Sequence, residues 1–327
     1  MKRYVLAPMA GVSTVELVAA ACEAGMLGSY GAGYLTGEQT EQILKELREL
    51  ITTSYAINVF VPEGVSADEQ NIQRAYETIR SYEERLGLTA EQPVIPPNAY
   101  EAQINAILND PVPIVSFTFG VPSEEVVKAL KAQGKQLIGT ATSLEEVRAN
   151  EAAGMDAIVV QGVEAGGHRG SFLRDAYLPL LEFIEQAKRV TTLPLIAAGG
   201  IASYIEVEAC LQAGASSVQI GTGFLCATES GASIIHKQSL LESQEGDFVV
   251  TKAFSGKEAR GIRNTFIEEM KNEVLAPYPI QHWLTSRLRK ESIKQNDPNY
   301  TSMWSGERGH LAQSGTVQEL LKNCYSE

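Results

Sequence analysis

The stretch MDAIVVQGVEAGGHRG, residues 155–170, runs from an apolar segment straight into glycines that carry His168, one of only four histidines in the chain. The apolar part is short enough for a buried strand. The glycines after it free the backbone for a close approach that a side chain would block. The same design recurs twice downstream. PLIAAG (Pro194–Gly199) runs into GlyIleAla at 200–202, and SVQIG (Ser217–Gly221) runs into ThrGlyPhe at 222–224. A strand that ends in a glycine turn and leads into an amphipathic helix is one unit of a parallel sheet.

Working outward from that unit gives five more candidate strands: Tyr4–Ala7, Leu27–Gly31, Tyr55–Phe60, Pro113–Phe117 and Gln136–Thr140, with Asp156–Gln161 as the sixth in chain order. Helical stretches separate them. TEQILKELREL (40–50) sets Ile43, Leu44, Leu47 and Leu50 on one face. SLEEVRANEAAG (143–154) opens on a capping-box-like Ser143 and Glu146 and stops at Gly154, and the helix after the seventh strand stops at Gly214. Eight strands with intervening helices predict an α/β fold, a (β/α)8 TIM-type barrel, with an open doubly wound sheet as the alternative. Two segments break the rhythm: 61–96, polar with one helical piece, and 225–308. The expected organisation is a barrel of residues 1–60, 97–224 and 309–327, with 61–96 and 225–308 as a second, mostly helical insertion subdomain on the substrate side.

Composition narrows the function. A formal net charge of -13 argues against nonspecific binding to nucleic acid or an anionic membrane. No run approaches the 18 or so apolar residues of a membrane-spanning helix, and the MKRYVLAPMAGVS start lacks the apolar core of a signal peptide. Cys22, Cys210, Cys226 and Cys324 form no CxxC pair and read as reduced thiols. The expectation is a soluble, cytoplasmic protein acting on a small molecule. No two histidines have HExxH spacing, so no metal site is expected.

Barrel enzymes carry their chemistry at the C-terminal ends of the strands. The glycines at the ends of strands seven and eight, Gly199, Gly200 and Gly221 with Thr222, suit a phosphate held by backbone N–H groups at a helix start. Neither a GxGxxG fingerprint nor a P-loop is present, which points away from a dinucleotide. The other ends suit a flat heteroaromatic ring. Asn58 and Gln161 supply amides, and Pro8, Met9 and Ala10 supply an apolar platform. Together these features suggest FMN.

On these residues the chain resembles the nitronate monooxygenases, formerly 2-nitropropane dioxygenases, of the FMN-dependent class I type. The resemblance runs through APMAGVST, GAGYLT, NVF, VSFTFG, QGVEAGGHRG, PLIAAGGIA and VQIGTGFL to FSGKEARGIRN, PYPIQHWLT and MWSGE. QGVEAGGHRG and AAGGIA are shared with FMN-dependent enoyl-ACP reductases; the last three segments discriminate. The resemblance implies oxidation of alkyl nitronates such as propionate 3-nitronate by O2, without NAD(P)H, to a carbonyl compound and nitrite, in a detoxifying role. It implies FMN contacts at Asn58, Gln161, Gly166, Gly200 and the run Gln219, Ile220, Gly221, Thr222, with Gly167 and Gly199 adjacent. It places the active-site histidine at His168. Lys257 stands where the family's arginine is expected, which keeps the charge and loses the fork.

A protonated His168 would hold an anionic nitronate, and a neutral one could take the α-proton of a nitroalkane. Tyr34 and Ser116 lie at strand ends as candidate substrate contacts. His236, His282 and His310 read as surface or structural, and Lys257, Arg260 and Arg263 as a solvated charge run. Three other readings compete: an NADH-dependent enoyl-ACP reductase, a flavin-binding barrel without turnover, and a non-flavin aldolase or isomerase. The last requires a strand lysine or paired carboxylates, which the sequence does not offer. The oligomeric state is left open.

Overall fold

The computed structural model describes residues 2–64, 68–174 and 176–326. Its main sheet has eight parallel strands: β1 (Tyr4–Leu6), β2 (Gly28–Gly31), β3 (Tyr55–Phe60), β4 (Ile114–Thr118), β5 (Gln136–Ala141), β6 (Ala157–Gln161), β8 (Leu195–Ala198) and β9 (Ser217–Ile220). Each lies at its sequence-predicted position to within about a residue at either end. Neighbours follow the chain, and β1 pairs with β9. A bridge between Val5 and Leu27 joins β1 to β2, with Leu6 N–H donating to the Leu27 carbonyl at 2.9 Å. The sheet therefore closes into a (β/α)8 barrel, and the open-sheet alternative falls.

The strands are apolar on both faces because both are covered. Residues alternate between two cores. Ile158, Val160, Leu195, Ala197 and Val218 pack outward against the helices. Val5, Leu27, Ala56, Ile114, Ile138, Ala157, Val159, Ile196 and Ala198 fill the barrel interior. The same period of two, carried one step further toward the C-terminal ends, turns polar: Asn58 after Ala56, Ser116 after Ile114, Thr140 after Ile138, Gln161 after Val159 and Gln219 after Ser217. The floor of a site is thus written into the strand register.

The outer helices follow their sequence signals with one exception. In the Gly37–Leu50 helix, Leu44 and Leu47 are fully buried, but Leu50 is 58% exposed, since it lies on the last residue, beyond the surface its face covers. The glycine stops hold: Gly154 has φ +85° and Gly214 φ +114°, values that L side chains rarely adopt.

Beyond the barrel, the Glu69–Arg85 helix packs against chain from 253–288. Ala75 and Ile79 meet Ala276 and Leu284, while Tyr82 meets Phe254, Phe266 and Leu288. This cap also contains a sheet that the sequence reading did not foresee. β10 (Phe248–Thr251) and β11 (Ala259–Ile262) form a hairpin, and β11 pairs antiparallel with β7, the two residues Gly167–His168. Strands of two and four residues are too short to show a period. The described residues contain no helix long and apolar enough to cross a membrane, and the four cysteines are free.

Candidate active site

A cavity of about 540 Å³ opens at the C-terminal ends of the barrel strands, within the ~300–1,000 Å³ common for cofactor and substrate sites. Pro8, Met9, Ala10, Tyr34, Asn58, Ser116, Gln161, Gly166, Gly167, His168, Gly199, Gln219, Gly221 and Thr222 all line it. Gly200 and Ile220 do not. They line an adjoining recess of about 50 Å³, whose walls share Gly199, Gln219, Gly221 and Thr222 with the cavity. The Ile220 side chain belongs to the outer core.

The recess has the donors that a phosphate needs. Glycine backbone from the ends of β8 and β9 faces it, and the Tyr204–Gln212 helix starts just beyond. The Thr222 hydroxyl accepts from Gly306 N–H at 2.8 Å, which leaves its proton to donate. Arg308, absent from the sequence reading, also lines the recess while ion-paired to Glu206. Close approach is built in: a Cβ on Gly166 would stand 2.3 Å from Gly306 N and 2.4 Å from the Ser305 carbonyl carbon. The glycine N–H groups and the Thr222 hydroxyl would suit the phosphate of a flavin cofactor.

The amides are already engaged. Asn58 Nδ2 donates to Ser116 Oγ at 2.9 Å and to Thr118 Oγ1 at 3.1 Å, leaving Oδ1 as its free acceptor. Gln161 Nε2 donates to the His168 carbonyl at 3.1 Å, and its Oε1 accepts from Gly170 N–H at 2.8 Å. Gln161 therefore clamps the loop that carries the histidine.

His168 Nε2 lies 2.8 Å from Ser255 Oγ. The Ser255 hydroxyl proton goes to the Lys257 carbonyl at 3.0 Å. The hydrogen-bond network thus assigns the proton between them to His168 Nε2, and the lone pair to Nδ1. Burial pushes the His168 pKa down to about 3, with Lys257 and Arg289 acting in the same direction. The ring is neutral, so the protonated form considered from sequence is not what this environment favours. Lys257 itself is paired with Glu63 at 2.6 Å and donates to the Ser171 carbonyl at 3.0 Å.

The far wall combines Phe60 and Phe119, from the ends of barrel strands, with residues of the cap, and most of its side chains were not singled out from the sequence. Phe60, Phe119, His236, His282, Trp283, Arg289 and Trp304 line the cavity. His236 and His282, read from sequence as surface or structural residues, belong to this wall. His236 Nε2 lies 3.1 Å from the Trp304 carbonyl, and burial lowers its pKa to about 4. His282 stacks on Tyr34 with ring centres 4.0 Å apart and planes at 12°. Burial, followed by Arg289 and His168, holds its pKa well below the ordinary value. Burial also pushes the Tyr34 phenol up to about 12, so it remains a donor. Of the charge run, Arg263 is exposed and paired with Glu268, and Arg260 donates to the Val163 carbonyl at 2.9 Å. The signals in the sequence for this wall were the segments NVF, VSFTFG, PYPIQHWLT and MWSGE, and PYPIQHWLT reads equally well as packing. Among the described residues, no group of three or more His, Cys, Asp or Glu is placed to hold a metal.

Comparison with known proteins bears on the family and the fold. The family profile described as nitronate monooxygenase matches residues 1–327. A probable nitronate monooxygenase of Staphylococcus aureus (strain MSSA476) is 43% identical over 330 residues, spanning 98% of this chain and 92% of that protein. Among solved structures, the nitroalkane oxidase from Streptomyces ansochromogenes superposes with a TM-score of 0.92 at 38% identity, covering 98% of this chain and 94% of that one. FabK from Thermotoga maritima gives 0.78 at 25% identity, covering 99% and 91%.

Proposed function

Because the chain belongs to the nitronate monooxygenase family, we propose that it oxidises small alkyl nitronates, such as propionate 3-nitronate, with O2 and without NAD(P)H, to a carbonyl compound and nitrite. FMN is the cofactor that best suits the cavity, with its phosphate end in the recess at Gly199, Gly200, Gly221 and Thr222. When bound, it supplies the redox chemistry that carries electrons from the nitronate to O2.

The observation that carries this reading is a neutral His168 on a glycine strand at the cavity wall, its tautomer set by Ser255. With its lone pair on Nδ1, His168 can take the α-proton of a neutral nitroalkane, whereas a nitronate arrives with that proton already lost and meets the ring as a neutral polar wall. Gln161 fixes the position of the ring by holding the His168 carbonyl and the Gly170 N–H just after it. The Tyr34 phenol is placed to donate to a nitronate oxygen. Phe60, Phe119 and Trp304 exclude water from the reacting face. A histidine with so low a pKa is a weak base, which favours substrates that arrive already ionised over neutral nitroalkanes. The role of the cap, residues 61–96 and 225–308, is to supply the substrate-side wall. Relatives at 38–43% identity carry nitronate or nitroalkane names, against 25% for FabK, and this supports the oxygenase reading over the enoyl reductase one.

The test is oxygen uptake by the flavin-loaded protein on adding propionate 3-nitronate, with NADH absent. Rapid uptake with nitrite release is the expected result. Flavin released by denaturation should co-elute with FMN. Uptake that requires NADH, or none at all from flavin-saturated protein, would sink the proposal.

A further inference from the structure

The cavity walls are chemically one-sided. The chain carries 40 acidic residues, yet among the described residues that line the cavity there is no Asp or Glu. Two cations line it, Arg289 and the exposed Lys290 at its mouth. A third, Lys257, lies near His168, but Glu63 answers its charge. Arg289 has no such partner. Among the described residues it makes no ion pair, and its hydrogen bonds go to neutral groups. Nε donates to Thr285 Oγ1 at 3.1 Å, and Nη2 to the His282 carbonyl at 2.8 Å. Thr285 is itself fixed, donating to the Phe254 carbonyl at 2.7 Å. The guanidinium is thus oriented from one side, and Nη1 keeps its protons for something else. Burial drags its pKa down to about 10, as befits a cation whose compensation is missing.

We infer that Arg289 is the substrate-gripping residue of this site, binding a planar two-oxygen anion through its guanidinium fork. This rests on the proposed nitronate reading and deepens it. A nitronate and a carboxylate share that shape, two oxygens on one trigonal atom, and the fork matches either. The stacked pair His282 and Tyr34 lines the same cavity, and Arg289 lies close enough to His168 for its charge to act on that ring.

The experiment is steady-state kinetics of Arg289→Gln on two substrates: ethyl nitronate, with only the nitronate, and propionate 3-nitronate, with a carboxylate as well. The expected result is a KM raised about 10–100-fold, the range for a lost charge-assisted hydrogen-bonded contact, with kcat changed far less and flavin content unchanged. A rise with both substrates assigns the fork to the nitronate; a rise with the second alone assigns it to the carboxylate. Arg289→Lys should recover part of the loss and covers the case of a poorly folding glutamine variant. KM within about twofold of wild type for both substrates would overturn the inference while leaving the oxygenase reading intact. So would an equal effect of Lys290→Gln, which would trace the attraction to a diffuse field. A second readout does not depend on turnover. The chain has two tryptophans, and both, Trp283 and Trp304, line the cavity. Titration with sodium propanoate should perturb their fluorescence saturably in the wild type and not in Arg289→Gln. If the protein oxidises no nitronate but shows this difference, the anion site stands and the oxygenase reading falls. Absence of a saturable change in the wild type overturns the inference.

Discussion

On the barrel rim, Asn58 donates to Ser116, Gln161 donates to the His168 carbonyl and Thr222 accepts from Gly306 N–H, so neutral groups satisfy one another. The substrate-side wall differs in holding a charge that no opposite charge answers. Arg289 has neutral partners only, and His168, His236 and His282 are held neutral by burial without a carboxylate at the ring. The rim is a preorganised cradle of neutral groups, suited to a ligand that stays. The cap is a wall with charge in deficit, suited to a ligand that arrives as an anion and leaves. The barrel register explains the first, since every rim amide occupies an interior position of a strand. Nothing comparable fixes the second, and its chemistry depends on which side chains the cap folds inward.

His168 is where the two regions meet, and its replacement should have the largest effect. His168→Asn should lower kcat/KM for a neutral nitroalkane by about 100-fold, the low end for loss of a positioned general base, with flavin retained. Stopped-flow reduction of the flavin by nitroethane measures it. Loss of flavin together with activity would mean that the histidine belongs to the cradle and the division is wrong. Gly166→Ala attacks the cradle directly. The new Cβ would meet backbone at 2.3 and 2.4 Å, and no rotamer change relieves that. Overpacking of this kind costs about 1–3 kcal/mol, so flavin affinity should fall about 5–150-fold while the catalytic rate of the loaded fraction stays near normal. Equilibrium dialysis against FMN separates the two quantities.

The same division governs what could be read from the sequence. The rim was legible because each of its parts is local: a glycine or an amide at the end of an apolar run declares itself within ten residues. The interior alternation Ala56–Asn58 or Val159–Gln161 is a period of two visible in one strand. The cap was not legible. His282, Arg289 and Trp304 converge on Tyr34, which its strand end had already marked, from elements far apart in the chain, and the helix that presents His282 is the five-residue Ile280–Leu284, too short to show a face. His168 itself was found by its glycines. That it sits on a strand paired with β11 depends on four-residue partners with no pattern of their own. Ser255, which sets its tautomer, carries no signal beyond the FSGKEARGIRN segment.

The neutral histidines make stability depend on pH in a defined direction. Their folded-state pKa values lie below the ordinary 6.5, at about 3 for His168 and about 4 for His236. Unfolding releases them to take up protons. Stability is therefore full above about pH 6.5 and falls as the pH drops below it, continuing toward pH 4. Each such group contributes about 1.4 kcal/mol per pH unit in that window. Urea midpoints of the wild type and His168→Asn between pH 7 and 5 test this: the variant's slope should be shallower by about one histidine's share. Equal slopes would mean that His168 titrates normally and the neutral wall is not intact.

Lys257→Arg should do least, and its smallness is informative. The residue lies close to His168, and Lys257 helps keep that ring neutral, yet its charge is met by Glu63 at 2.6 Å and its ammonium also donates to the Ser171 carbonyl. It lies 4.8 Å from the centre of the Phe119 ring. An arginine keeps the charge over that ring and can meet Glu63 with two bonds instead of one. The expected change in kcat/KM is no more than about threefold, with thermal stability equal or slightly higher, since a partly exposed ion pair contributes only about 1 kcal/mol. Lys257→Met is the sharper partner experiment. It leaves Glu63 unanswered and removes one of the two cations that depress His168, so the imidazole should titrate closer to neutrality, read by the pH dependence of flavin reduction. If Lys257→Arg instead raised KM as strongly as Arg289→Gln, a compensated cation would be binding substrate as well as an uncompensated one, and the contrast between satisfied and unsatisfied charge would lose its meaning for this site.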